Sequence, residues 1–497
     1  MTTAPATGGP AAAAPDVDRS WVPLAAGEIS LAVAVIVGVT VSYAFPFRAA
    51  KYALIVFFVV TLIGQTQRRP ALGLALIAFS IPAMDLIPPQ MYGGIRALNT
   101  ETVLIVVALG IWAREVAMRG RDHLATPLGR LLLAWVILIL FSSVRAWMLW
   151  KVPLLDILAA AKNHLAFMIF LPVAFHVLRE RRDQVLLLLA ISVSLFLNAL
   201  QGINHSWLAF AAGSLERHRA MALLALQPNI YGTALAVYLP FCLVLALHRV
   251  SGPWIRLWFA TVTAAVSFAL LLTLSRGAWL GAIAAVFVIA LVRNRALLFV
   301  LALGVIGYQT WLPEQAVKRI EVTTTVDEDD EIGADAIAEG STQMRIEQYK
   351  SLPAMMADNP FLGWGYRSFP TVFERHGTLG RAKGAHSSYV QVGTEEGIVG
   401  LVLLVTILFA SAWAGVRAAR ADEPFVQWMG IGLLGATVAL AVCMASGARF
   451  ELQKILGWFW ILAGIVEREG LLAQVRQVHR FGAPDLVRLS GTSAADE

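Results

Sequence analysis

Charge is what this sequence has least of. Only 14% of its 497 residues are Asp, Glu, Lys or Arg, against about 25% in soluble domains. Fifty-eight per cent are hydrophobic and the mean hydropathy is +0.69. A soluble globular protein is excluded, and so is disorder over most of the length, because so apolar a chain does not stay solvated. Cysteine is nearly missing: Cys242 and Cys443 both lie in apolar runs, which leaves no disulfide framework and no metal-ligand spacing. The ten-residue alternation of a membrane barrel is missing too. Residues 1–22 have no basic segment leading an apolar core, so they read as a flexible Ala/Pro-rich tail, not a signal peptide. No paired, Gly/Pro-broken spans recur in the two halves, as an inverted-repeat transporter would need. The net charge of +6 does not point to nucleic acid, since basic residues collect on the cytoplasmic loops of membrane proteins.

What is present is a succession of apolar stretches, each near the ~20 residues that cross a hydrocarbon core. They fall at 27–45, 52–66, 71–88, 100–114, 129–148, 160–178, 184–203, 229–248, 256–274, 277–292, 296–312, 396–416, 425–445 and 453–468. The expected fold is an all-α polytopic membrane protein of about 12 to 14 transmembrane helices with one large periplasmic loop. The expected divisions are a cytoplasmic tail (1–22), an N-terminal helix bundle (23–312), the large loop (313–395), C-terminal spans (396–468) and a cytoplasmic tail (469–497). With the N-terminus inside, the short inner loops hold twenty Lys and Arg and the short outer loops ten. The excess favours cytoplasmic termini and a periplasmic long loop.

Arginines on the arginine-poor side need a reason. Arg276, in TLSRGAWLG, sits between two apolar runs. It reads equally as a snorkelling loop residue or as a fixed guanidinium for a phosphate at the headgroup level. Gly277 beside it would let backbone approach a ligand. Arg219, in ERHRAMALLALQPNIYG, taken alone reads better as part of a basic interfacial helix. In the long loop, Arg345, Gln348 and Tyr349 have the spacing of one helix face, and Asn359-Pro360 ends that helix. Gly363-Trp364-Gly365-Tyr366 is a turn with aromatics; it matches only the start of a dinucleotide fingerprint. The acidic run from Asp327 fails the calcium-loop pattern, with Ile332 at position six and Ala338 at position twelve, and reads as a solvated insertion. His386, in AHSSYVQVGTEEG, is a candidate general base. It lacks a Cys partner, a second His at i+4 and a G-x-S-x-G, which argues against thiol, serine and zinc hydrolases. By itself a lone interfacial His more often packs or meets headgroups.

Three segments in order change those readings. TLSRGAWLG, MRIEQYKSLPAMMADNPFLGWGYRSF and HSSYVQVGTEEGIVGL resemble the core of the O-antigen ligase/polymerase family of bacterial envelope glycosyltransferases. Arg276, Arg345, Asn359, Pro360, Gly363, Gly365, His386, Gln391, Glu395 and Gly397 fall on that pattern, and Arg219 with Pro228-Asn229 matches it less closely. The resemblance covers about 215–410; the acidic insertion at 327–339 and a span count above roughly twelve depart from it. It implies a multi-pass enzyme of the bacterial inner membrane that moves a glycan from undecaprenyl pyrophosphate, on the periplasmic side, to a hydroxyl. The acceptor would be lipid A-core, a growing O-antigen or exopolysaccharide chain, or another hydroxyl. Arg276, Arg219 and Arg345 would bind the pyrophosphate and His386 would be catalytic. Tyr389 and Glu395 would orient it, and Gly363 and Gly365 would be structural. No metal or other cofactor is expected, and the other partners are membrane lipids. The alternative class is a polytopic transporter or lipid-linked oligosaccharide flippase, which needs its ionisable residues near the midplane rather than at the outer ends. A third reading, a scaffold of a polysaccharide export complex, would tolerate loss of His386.

Overall fold

The computed structural model describes residues 64, 69–86, 100–119 and 126–480, except 152, 213, 215–218, 249–251, 294, 313, 322–333 and 378–383. Among these the protein is all-α, with no strand beyond an isolated Ala222–Ala225 bridge. The helices are α1 (Pro70–Ser80), α2 (Thr100–Arg119), α3 (Pro127–Trp150), α4 (Leu154–Val177), α5 (Arg181–Ala211), α6 (Pro228–Leu247), α7 (Pro253–Leu272), α8 (Arg276–Val292) and α9 (Ala296–Ile306). After them come α10 (Glu314–Glu321), α11 (Ala334–Ala357), α12 (Phe369–His376), α13 (Ser388–Glu395), α14 (Gly397–Ala419), α15 (Pro424–Ala445) and α16 (Gln453–Arg480). Pro70, Pro127, Pro228, Pro253 and Pro424 each open a helix. There the missing N–H costs nothing and φ is already set.

Seven of the described helices are long and apolar enough to cross a membrane: α3, α4, α5, α6, α7, α14 and α15. The protein is a polytopic membrane protein. The expected stretches 27–45 and, Gly64 apart, 52–66 lie outside the described residues. Others differ from expectation in length. Residues 70–84, α8 and α9 are shorter than a full span. Helix α5 runs to 31 residues. Helix α16 continues to Arg480, so the division expected at 468/469 falls inside a helix. Residues 334–339, expected as part of a solvated insertion, form the first turns of α11.

Helices α6 and α15 are buried along most of their length, whereas α3, α7 and α14 bury only about a third. The first two are the pillars of the bundle, packed on each other and both on α8. The outer helices show an apolar face, as on α3, where Leu133, Ile137, Phe141 and Val144 are exposed at three- to four-residue spacing. In water such a stripe would be an association hazard; in a bilayer it meets acyl chains. The two ends of the bundle differ. One is tied by Arg69 to Asp183 (2.8 Å), Arg181 to Glu423, and the Glu467 carboxylate accepting from the Leu128 N–H (2.8 Å). At the other end the long loop folds back onto α3 and α15. There Arg145 donates from Nε to the Gly363 carbonyl (2.9 Å) and also bonds the Asn359 side chain.

Candidate functional site

At the loop end, α8 begins where the chain leaves α7 through a tight turn. Leu274 takes φ +49°, a left-handed conformation that a leucine adopts only when its surroundings hold it. Ser275, in extended conformation, then leads into α8, whose first residue is the half-buried Arg276. Gly277, expected to admit a ligand, has a different task. A Cβ there would stand 2.0 Å from Ser446 Oγ, so the glycine lets α8 close on the end of α15. Cys443 Sγ makes a 3.6 Å contact to the Gly277 carbonyl in the same seam. Arg219 lies behind this turn. Its Nε donates to the Thr273 carbonyl (2.6 Å) and a terminal nitrogen to Asn229 Oδ1 (2.7 Å). The segment around it is no interfacial helix: residues 219–227 form turns closed by the Ala222–Ala225 bridge. Arg219 braces the turn that aims Arg276.

The long loop brings the remaining groups to the same place. Helix α11 carries Arg345, Gln348 and Tyr349, and it ends before Asn359-Pro360 as the sequence predicts. Gln348 is buried and holds the histidine segment from both sides. Its Oε1 accepts from the His386 N–H (2.7 Å) and its Nε2 donates to the Gly384 carbonyl (3.2 Å). Tyr349 bonds Ser387 Oγ (2.8 Å) and donates to the Ala445 carbonyl (2.9 Å), which pins the loop to the end of α15. Ser387 caps α13 through the Tyr389 N–H, so His386 stands at the mouth of that helix.

The His386 side chain is half-buried, and no group of the described residues hydrogen-bonds its ring. Burial lowers its pKa below the ordinary 6.5, and the positive charges of Arg345 and Arg449 lower it further. The imidazole is neutral near pH 7, which is the form a general base requires.

Arg449 is the residue that the sequence reading passed over, counting it only as an outer-loop cation. It lies in the short connection between α15 and α16. Ser388 Oγ accepts from its backbone N–H (2.8 Å), which fixes the connection to the start of α13. Its side chain is buried, makes no ion pair among the described residues, and leaves Nε without a hydrogen bond. Burial pushes its pKa down to about 10, and Arg345 adds to the effect while Cys443 opposes it. A buried cation with no counter-charge costs several kcal/mol in a protein interior. Sequence could have flagged it as an arginine between two close spans, GARFEL, on the arginine-poor side.

Neither Tyr389 nor Glu395 hydrogen-bonds the His386 ring among the described residues. The Tyr389 hydroxyl donates to the Ala441 carbonyl (2.9 Å). Glu395 lies at the far end of α13, where its carboxyl accepts from the Phe369 N–H (3.2 Å) and from Gln391 Nε2 (3.4 Å). Burial raises its pKa, and the charge of Glu451 raises it further. The adjoining Glu396 is also raised, by burial first, and accepts from Ser142 Oγ (3.1 Å). Gln391 Nε2 also donates to Glu451 (2.6 Å), so these carboxyls form a shared polar cluster behind α13. Gly363 (φ +60°) and Gly365 (φ +99°) make the turn that covers it. A Cβ on Gly363 would come within 2.4 Å of the Glu395 backbone, and one on Gly365 within 2.6 Å of the Ala146 nitrogen. No group of three His, Cys, Asp or Glu stands in metal-holding range among the described residues.

Residues 259–405 match the family model described as O-antigen ligase. The match takes in Arg276, Arg345, His386 and Glu395 and stops short of Arg219 and Arg449. It supports the O-antigen ligase/polymerase family and, with it, a membrane glycosyltransferase of that type. The comparison with curated proteins finds no match.

Proposed function

We propose that this protein transfers a glycan from undecaprenyl pyrophosphate to an acceptor hydroxyl at the periplasmic face of the bacterial inner membrane. The observation that carries the reading is Arg449. A buried guanidinium without an ion pair, beside Arg345 and a neutral His386 at the membrane-flanking end of the bundle, calls for an anionic ligand. A lipid pyrophosphate brings that charge to that depth, and its lipid tail fits a site set between helices. Arg276, Arg345 and Arg449 hold the two phosphates and take up the charge that develops as the sugar–oxygen bond breaks. The acceptor oxygen forms the new bond at the anomeric carbon, and its proton passes to His386. Arg219 acts through the 273–276 turn. Positive side chains supply the electrostatic stabilisation, so the reaction should proceed in the presence of chelators.

The transporter reading loses ground on placement. The candidate groups gather at one end of the bundle and not at its middle, where an alternating-access site belongs. The test is envelope glycan analysis of a deletion strain. Glycan chains left on the lipid pyrophosphate mean a ligase, and single repeat units mean a polymerase. Envelope glycans identical to the parent's would refute the transferase reading.

A further inference from the structure

Away from His386, the loop end of α3 and the start of α4 face the 366–371 segment across an open cleft of about 220 Å³. The mechanism above does not use it. By the ~30 Å³ that a water occupies in the liquid, it has room for about seven waters. That is on the order of one sugar ring, and because the cleft is open a longer chain would extend out of it. Its lining includes Trp150, Asp156, Tyr366, Arg367, Ser368 and Thr371. The half-buried Trp150 indole, the Asp156 carboxylate, the Arg367 guanidinium and the Thr371 hydroxyl offer apolar surface beside donors and acceptors, while Tyr366 is buried beneath them. Sugars present that same pairing of C–H faces and hydroxyls. A phosphate does not suit it, because Asp156 opposes an anion.

Two further observations mark this cleft as built. Ser368 is only 3% exposed, lines the cleft, and its hydroxyl finds no hydrogen-bond partner among the described residues. That oxygen is itself closed to the cleft, so it would gain a partner from a bound sugar only if the 366–371 segment shifts as the sugar enters. Arg367 takes φ +64°, an unusual conformation for a residue with a Cβ. The backbone N–H groups of Arg367 and Phe369 both turn onto the buried Glu395 carboxyl, which holds the segment in place.

We propose that this cleft is a glycan subsite, binding one sugar ring of the transferred or accepting chain away from the reacting bond. The inference rests on the transferase reading for its biological sense, and on the cleft's own chemistry for its ligand. Helix α13 joins the two places: His386 stands at its start and Glu395, under the cleft, nine residues on. At 1.5 Å per residue that is on the order of 13 Å, about the length of two or three sugar rings. A contact so far from the breaking bond is made equally in ground and transition states, so it sets KM and leaves kcat alone.

The test uses the full-length purified protein in nanodiscs, with glucose, N-acetylglucosamine and rhamnose as free probes in saturation-transfer NMR. At least one sugar should receive saturation from the wild type. Thr371→Trp, an exposed residue on the cleft rim, should abolish it by filling the space. Asp156→Asn, which preserves shape, should weaken it by about tenfold, the loss of a hydrogen bond to a charged group. Arg276→Ala and His386→Ala should leave it unchanged. Failure of all three sugars to take up saturation overturns the proposal. So does saturation that survives both cleft variants, or displacement of the sugar by inorganic phosphate. The two readings fail separately: unchanged envelope glycans in the deletion strain defeat the transferase, while sugar binding lost in Thr371→Trp would still stand.

Discussion

Replacing His386 by Ala separates catalysis from folding, because of how the residue is held. Its hydrogen bond to the protein runs from the backbone N–H to Gln348 Oε1, and alanine keeps that bond. The side chain is half-buried and no ring hydrogen bond is lost, so the stability cost should be about 1 kcal/mol, the middle of the range for point substitutions. The rate is another matter. A positioned general base contributes about 10²–10⁴, which is about 2.7–5.4 kcal/mol of barrier at 1.36 kcal/mol per decade. Purified protein with lipid-pyrophosphate glycan, assayed for donor binding and for transfer separately, should show binding intact and transfer down by two to four decades. The pH dependence adds a second signature. With a native pKa below 6.5, the acid limb of the wild-type rate profile should lie below pH 6.5, and the variant's residual rate should lack that limb. The stability linkage has the matching sign. Between the native value and 6.5 the unfolded state binds the extra proton, so wild-type stability climbs as pH rises through that window. The slope should flatten in the variant. Transfer at the wild-type rate, or an unchanged acid limb, would remove His386 from the chemistry. A collapse of the melting temperature would reassign it to the fold.

Three more outcomes are expected. Arg449→Met should abolish donor binding and transfer while thermal unfolding stays level or rises, since replacing a buried charge with an apolar side chain is often neutral or stabilising; a large loss of stability would show the cation to be compensated. Gly365→Ala should cost about 2–5 kcal/mol, combining a strained positive φ with a Cβ 2.6 Å from backbone, and should show as poor expression and a lowered melting point. For Glu395, whose native pKa is raised above the ordinary 4.5, the contributed stability is complete below 4.5 and lost as pH rises through the native value. Glu395→Gln should therefore flatten the alkaline fall in thermal stability, and an unchanged fall would assign it to other groups.

The membrane fold was legible because its cause is composition: runs of apolar residues near twenty long have few other uses. The helix carrying Arg345, Gln348 and Tyr349 was legible from spacing, and its stop from Asn359-Pro360. Arg449 was not, because nothing local distinguishes a buried arginine from a snorkelling one. Its surroundings draw on Arg345 of α11, Ser388 of α13 and Cys443 of α15, elements far apart in the chain. The role of Arg219 was hidden for the same reason, since its partner Thr273 lies 54 residues on. Gly277 misled in the opposite sense. The sequence offered a bare backbone, and the structure filled the space with Ser446.

That filled space has a consequence for how the protein can diversify. Gly277 and Gly281 both face α15, where a Cβ would strike Ser446 in one case and Cys443 and the Ala439 carbonyl in the other. Small residues four apart let two membrane helices meet backbone to backbone. The interval between the two outer ends, where Arg276 and Arg449 sit, is set by main chain, which neither repacks nor drifts with lipid thickness. On the proposed mechanism the seam would be a calliper, closed on the one chemical group that every lipid-pyrophosphate donor shares. Evolution, or an engineer, could then trade the 366–371 segment and the rim of α4, the proposed sugar subsite, without resetting the proposed grip on the phosphates.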